Sequence, residues 1–250
     1  MDEDTETGLP ASIEEAWGVR RRPRKGPKPG LDLERIVAAA VKVAAAEGIQ
    51  AVSMSRVATE LGSSAMSLYR YVAAKDELLA LMVDAAFDEA VAPAPPDEGW
   101  RAGMARWAWT YHDALRRHPW VLRVPISGPP VTPNQTAWME NGLRALAGTG
   151  LAEGEKLSVI LLVSGYVRNE ATLSAELAAA AARSGDGQIM PSWRQQLTRL
   201  TDAEHFPALH AALASGVFDQ DDDPDDEFTF GLERVLDGIE ALVMRRGAAG

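Results

Sequence analysis

VATELGSSAMSLYRYVAAKDEL, residues 57–78, is the stretch on which the fold turns. Val57, Ala58 and Leu61 fall at helical spacing, and Gly62 stands where a helix ends in a left-handed residue. A second short helix is predicted over roughly Ser64 to Tyr71, with Leu68 as its inward anchor. Lys75-Asp76-Glu77 then opens a longer helix whose early acids suit the positive end of the helix dipole. Two short helices around a glycine turn form either a helix–turn–helix or an ordinary helix hairpin. The second helix exposes Ser64, Ser67, Tyr69, Arg70 and Tyr71, and Lys75 follows. Hydroxyls, guanidinium and ammonium groups are the ones that hold nucleic-acid phosphates. Tyr69 and Tyr71, two residues apart, cannot both face one core from a helix.

Upstream, Leu33, Ile36, Val37, Ala40, Val41 and Ala44 recur at helical spacing between an N-capping Asp32 and Gly48. Ser53 or Ser55 can cap the helix that contains Val57. RRRPRKGPKPG (20–30) mixes six bases with proline and glycine, and reads as a flexible basic arm. The first ~19 residues are acidic and unpatterned, and are expected to be disordered. The formal net charge of -11 hides a division: residues 1–19 carry -6, residues 20–76 carry +6 and residues 77–250 carry -11. A basic segment between acidic flanks marks either a local anion-binding surface or a solvated linker.

APAPPDEG (92–99) breaks the chain, and helical patterning resumes over about 100–118, 134–148, 154–183, 203–215 and 226–246. No alternating strand pattern is present. The expected fold is all-α: a tail and arm over 1–30, a helix–turn–helix unit over 31–77 and a larger helical unit over 78–250. In that larger unit Trp100, Met104, Trp107 and Tyr111 share one helical stripe. Trp120, Trp138, Met139, Tyr166 and Trp193 come from other elements. These aromatics are core, or they are the walls of an apolar ligand cavity to which His112, Asn134, Arg168 and Asn169 could add polar groups. Arg168 interrupts the most apolar run of the chain, with Glu170 or Glu176 as candidate partners. The last helix carries an apolar stripe through Phe228, Leu232, Leu236 and Ile239, wide enough to bury against other helices, and the 154–183 helix is apolar nearly all round over its first half, which suggests contacts on two sides.

Several functions are disfavoured by what is missing. The chain has no cysteine, hence no disulfide, thiolate metal site or cysteine nucleophile. No G-x-S-x-G elbow and no phosphate-binding G-x-x-x-x-G-K-[ST] loop occur. His205 and His210 are five apart, which does not place them on one helix side. The acids of 219–227 lack the spacing of a calcium loop. No enzyme activity, cofactor or metal is expected. No apolar run approaches the ~18 residues that span a membrane, and a cytoplasmic location is expected.

Residues 31–84 resemble the N-terminal domain of the tetracycline-repressor (TetR) family, through the A-A-E-G end of the first helix, V-A-T-E-L-G, and S-L-Y-R-Y-V-A-A-K-D-E-L-L. RRHPWVLRVP (116–125) and FTFGLERVLDGIEALV (228–243) look like that family's tetracycline-repressor-type regulatory domain. The resemblance implies a homodimeric, ligand-responsive regulator of transcription, most often a repressor released from a palindromic operator duplex by a small molecule. It implies that Ala65 and Met66 face base edges, that Ser67, Tyr69, Tyr71 and Lys75 hold phosphates, and that Ser53 and Ser55 lie near DNA. Ala65 and Met66 cannot form bidentate hydrogen bonds to bases, so readout would lean on Ser64, Arg70 and an arm whose Arg24 and Lys25 could enter a minor groove. It also implies an effector cavity, for which Trp107, Tyr111, His112, Trp138, Tyr166, Asn169 and Trp193 are the candidates. The competing reading is an all-α small-molecule binding or catalytic protein whose helix–turn–helix is only structural.

Overall fold

The structure, a computed structural model, describes residues 8–19, 30–88, 95, 98–184, 189–219, 223 and 225–248. Among them every regular element is a helix. The arm residues Arg24 and Lys25, and residues 220–222 and 224 of the acidic 219–227 stretch, lie outside the described residues.

Helix α2 (Leu33–Glu47) begins where the Asp32 side chain accepts a hydrogen bond from the Arg35 amide, and it ends at Gly48, whose φ is +84°. A 3-10 turn (Ile49–Ala51) leads into α3 (Met54–Glu60), capped by Ser53, and α4 (Ala65–Tyr69), capped by Ser64. Such caps satisfy amides that the first helical turn leaves unpaired. Gly62 takes φ +61° between α3 and α4, a backbone that a side chain would strain. Val57, Ala58 and Leu68 are buried, so the pair is held by a small apolar seam while its other faces stay open.

Helix α5 (Lys75–Ala85) packs on α2 and runs on toward α7 (Pro133–Ala145). The body is built from α6 (Trp100–Arg117), α7, the 32-residue α8 (Glu153–Ser184) and α11 (Asp226–Gly247), with α6 lying along α8. Met104, Leu115, Leu146, Val163, Phe228, Leu232 and Leu236 are almost wholly buried there. Helices α9 (Ile189–Leu200) and α10 (Pro207–Ala214) form a satellite with a 3-10 turn at Val217–Asp219. The sequence contains no predicted counterpart of α9, and the helix predicted over 203–215 starts four residues before α10 and ends one after it.

Within the first ~19 residues, expected to be disordered, residues 1–7 lie outside the described residues and the rest contain α1 (Ala11–Ala16), which corrects that expectation there. Six residues are too few to hold a helix alone, and docking supplies the stability. Ile13 is buried, the buried Ser12 hydroxyl donates to Glu77 Oε2 at 2.7 Å, and Trp17 Nε1 donates to the Val131 carbonyl at 2.8 Å. Helix α1 therefore ties the start of α5 to the loop that precedes α7.

Close packing of α7 is visible at Gly142. A Cβ there would meet the rigid Trp107 ring at 2.8 Å and the Ile160 side chain closer still. Alanine gains about 1 kcal/mol of helix propensity over glycine, but overpacking a core costs about 1–3 kcal/mol. Gly142→Ala is therefore expected to lower the urea midpoint, where propensity alone would raise it.

Candidate nucleic-acid interface and effector cavity

Met66 is 76% exposed and Tyr69 47%, and Ser53, Ser55, Ser64, Arg70 and Lys75 are exposed as well. Ser64 Oγ lies 2.8 Å from Ser67 Oγ, so the two hydroxyls share one cap at the start of α4. Ala65 differs from Met66, being partly buried against the core. The two tyrosines separate. Tyr69 projects outward, whereas the half-buried Tyr71 donates its hydroxyl hydrogen to the Leu31 carbonyl at 2.9 Å. Tyr71 thus fixes the point where the chain enters α2, a task the expected phosphate contact would compete with.

Behind this head, α3 is tied to α2 by charge. Arg56 reaches Glu47 at 2.5 Å and Glu60 at 3.1 Å, and Lys42 reaches Glu60 at 2.7 Å. Hydrogen bonding to Arg56 holds the Glu47 carboxyl below its usual range, and hydrogen bonding to Lys42 does the same for Glu60. Exposed pairs of this sort contribute little stability, but they absorb the acids beside the helix–turn–helix.

A cavity of about 600 Å³ opens between α5, α6, α7, α8 and the 124–132 loop. Tyr111 and Trp138 line it, together with Leu79, Val83, Phe87 and Met139. Trp107 stands one layer back, stacked on Trp138 at 3.9 Å with its Nε1 donating to the Trp138 carbonyl. The other candidates lie elsewhere. His112 is one residue past Tyr111 and so turns about 100° away on α6. It is buried on Phe228 at 4.1 Å and bonded to Glu170 at 2.8 Å. Tyr166 stacks on Phe228 and donates to its carbonyl. Asn169 is exposed, and Trp193 packs on Phe218 in the satellite. Asp76, Ser127, Thr132, Gln135, Ser164 and Arg168 supply the cavity's polar lining. Arg168 pairs with neither Glu170 nor Glu176: its Nη2 donates to the carbonyls of Val121, Leu122 and Val124 at 3.3–3.4 Å.

Asp84, 6% exposed on α5, joins the head to the cavity. Helix α7 has no side-chain cap from its own Thr132; instead Asp84 Oδ1 accepts from the amides of Asn134 at 2.9 Å and Gln135 at 3.0 Å. Gln135 Nε2 in turn donates to Thr132 Oγ1 at 2.8 Å. Burial raises the Asp84 carboxyl above its usual range, and hydrogen bonds from Thr132, Gln135 and Asn134 offset part of that. Among the described residues no cluster of three or more His, Cys, Asp or Glu could hold a metal, and no helix is long and apolar enough to cross a membrane.

An exposed, capped helix–turn–helix joined by one helix to the wall of an apolar cavity defines a DNA-binding regulator. Comparison with known proteins agrees. Residues 36–82 match the model for bacterial regulatory proteins of the tetR family, and residues 92–243 match the tetracyclin repressor-like C-terminal domain. The chain is 42% identical over 248 residues to the HTH-type transcriptional repressor DrrR1 of Streptomyces coeruleorubidus, covering 94% of this chain and 87% of that one. It is similar to apo ActR from Streptomyces coelicolor, with a TM-score of 0.72 and 28% identity over 90% of this chain and 100% of that one. ActR in complex with actinorhodin gives a TM-score of 0.69 and 28% identity, covering 87% and 99%. The chain belongs to the TetR family of DNA-binding transcriptional regulators.

Proposed function

We propose that the protein is a cytoplasmic homodimeric repressor whose α4 helices enter successive major grooves of a palindromic operator, and which a small molecule releases. The observation that carries this is the double membership of α5, which packs on α2 of the head and lines the cavity with Leu79 and Val83, with Phe87 just past its end. A ligand that prefers one position of α5 shifts the spacing of the two heads, and equal affinity for both positions would shift nothing. The relatives support the reading: one is named a repressor, and the similar ActR is seen with a bound small molecule. Dimerisation is supported by apolar residues left exposed on α8 and α11, among them Leu162, Leu173, Phe230 and Met244.

Selecting bound duplexes from a random library, then screening compounds for release from the selected site, tests this directly. Binding that shows no sequence preference at low salt would sink it. Within that experiment Lys75→Ala is expected to weaken all duplexes alike and to lower the salt slope of the dimer by about two, one phosphate per protomer. Met66→Gln is expected to re-rank the selected sequences, because Met66 offers only an apolar contact to thymine methyls.

A further inference from the structure

We infer that the cavity is built for an effector with an aromatic, ring-bearing body and a carboxylate set against Arg168. The inference rests on the reading of this cavity as the effector site. Its walls give the body: Trp138, backed by Trp107 at 3.9 Å and flanked by Tyr111 at 4.7 Å and Phe87 at 6.1 Å, presents a stiff aromatic surface. Flat rings pack on such a surface with little loss of their own freedom.

Arg168 gives the charge. Arginine stays protonated in proteins, and this one stands on α8 directly after the most apolar run of the chain, residues 157–167. The carbonyls of Val121, Leu122 and Val124 fix its orientation but carry no net negative charge. The nearby acids are committed elsewhere, Glu170 to His112 at 2.8 Å and Glu176 to Arg123 at 3.6 Å. Among the described residues no ion pair joins Arg168 to a carboxylate, although the chain has 36 acids against 25 bases. Asp76, the one acid among the cavity-lining residues, is exposed in the first turn of α5, where water screens it. The guanidinium is thus held in place with its charge uncompensated at the wall of an apolar space. A carboxylate suits it because the planar fork donates two parallel hydrogen bonds, one to each carboxylate oxygen.

Tyr111 adds a second donor. Its hydroxyl lies beside the Arg168 guanidinium, and burial raises its pKa, with Arg168 offsetting part of the rise. The phenol therefore keeps its proton at neutral pH and can donate it to the same anion.

The test is isothermal titration of the full chain with paired probes: 2-naphthoic, anthracene-2-carboxylic and anthraquinone-2-carboxylic acids against their methyl esters. At least one acid is expected to bind about tenfold or more tightly than its ester, the usual range for a hydrogen bond to a charged group. Arg168→Gln should erase the preference by weakening the acid alone, with ester binding as the control for an intact cavity. Arg168→Lys should keep most of the preference, and covers the case in which the glutamine variant does not fold. Equal binding of acid and ester to the unaltered protein overturns the inference and leaves the effector cavity standing. A preference that survives Arg168→Gln overturns the role of Arg168. Failure of all six compounds to bind overturns the effector-site reading itself.

Discussion

Replacing Asp84 by alanine is expected to lower the unfolding free energy by about 2–3 kcal/mol. The change leaves two amides at the start of α7 without an acceptor, and an unsatisfied buried donor costs about 1–3 kcal/mol. Relief of a buried carboxylate offsets part of that loss. Asp84→Asn separates the two contributions: both amides bond the same oxygen, Oδ1, so an amide oxygen can replace it. The asparagine variant should therefore stay within about 1 kcal/mol of the parent. Urea denaturation at fixed protein concentration measures both, and equal losses in the two variants would refute the capping role. The pH dependence has a definite sign. A carboxyl whose folded pKa is raised favours the fold most below its unfolded value of about 3.9 and loses that contribution as pH rises through the folded value. Between those two values Asp84 opposes acid unfolding, and Asp84→Asn removes that opposition. Asp84→Ala should also blunt release by effector, because α5 loses its hydrogen-bonded tie to the cavity wall.

Phe228→Ala is expected to cost more, about 3–5 kcal/mol, in the range for emptying a buried aromatic site. Phe228 is fully buried at the first turn of α11, 4.5 Å from Trp109 and 4.1 Å from His112 between ring centroids, with Tyr166 stacked at 5.7 Å. The rings around it are large and mutually braced, so the site cannot collapse. His112 depends on it twice: its Nδ1 is buried without a hydrogen-bond partner, and its ring is held flat by the phenyl face while Nε2 bonds Glu170. A denaturant midpoint that falls with an unchanged slope would show lost packing, while a changed slope would mean that the body no longer unfolds as one unit. A loss below about 1 kcal/mol would mean that α11 is not anchored here.

The helical head was legible because its signals are local. Asp32 is a cap written into adjacent residues and is seen to accept the Arg35 amide hydrogen. Of the two serines that could cap the next helix it is Ser53 that does so, and Ser64, read as an exposed residue of the helix, proves to be the cap of α4. Helix α1 was not legible, since its order comes from contacts with Glu77 and Val131, far away in sequence. Helix α9 was hidden by Pro191, which reads as a break although proline is tolerated in a first turn. The cavity was only half legible. Tyr111 and His112 are adjacent aromatics on one helix, and at most one of them can face a given space. Periodicity shows that difference but does not say which face meets the cavity; that is set by how α7 and α8 pack against α6. The part played by Asp84 shows no local pattern at all, because the cap it provides belongs to a helix fifty residues away.

The docked N-terminal helix also sets a leash. Val19 follows a segment pinned at Ile13 and Trp17, and Leu31 is pinned by Tyr71, so eleven peptide steps join one anchored end to another at Gly30. Whatever path those steps take, a chain spans at most about 3.6 Å per residue. The contour is then about 40 Å, and no point on it can stand further than about 20 Å from the nearer anchor. With α1 docked and Leu31 held by Tyr71, the chain leaves and re-enters the described structure at two fixed points rather than from one free end.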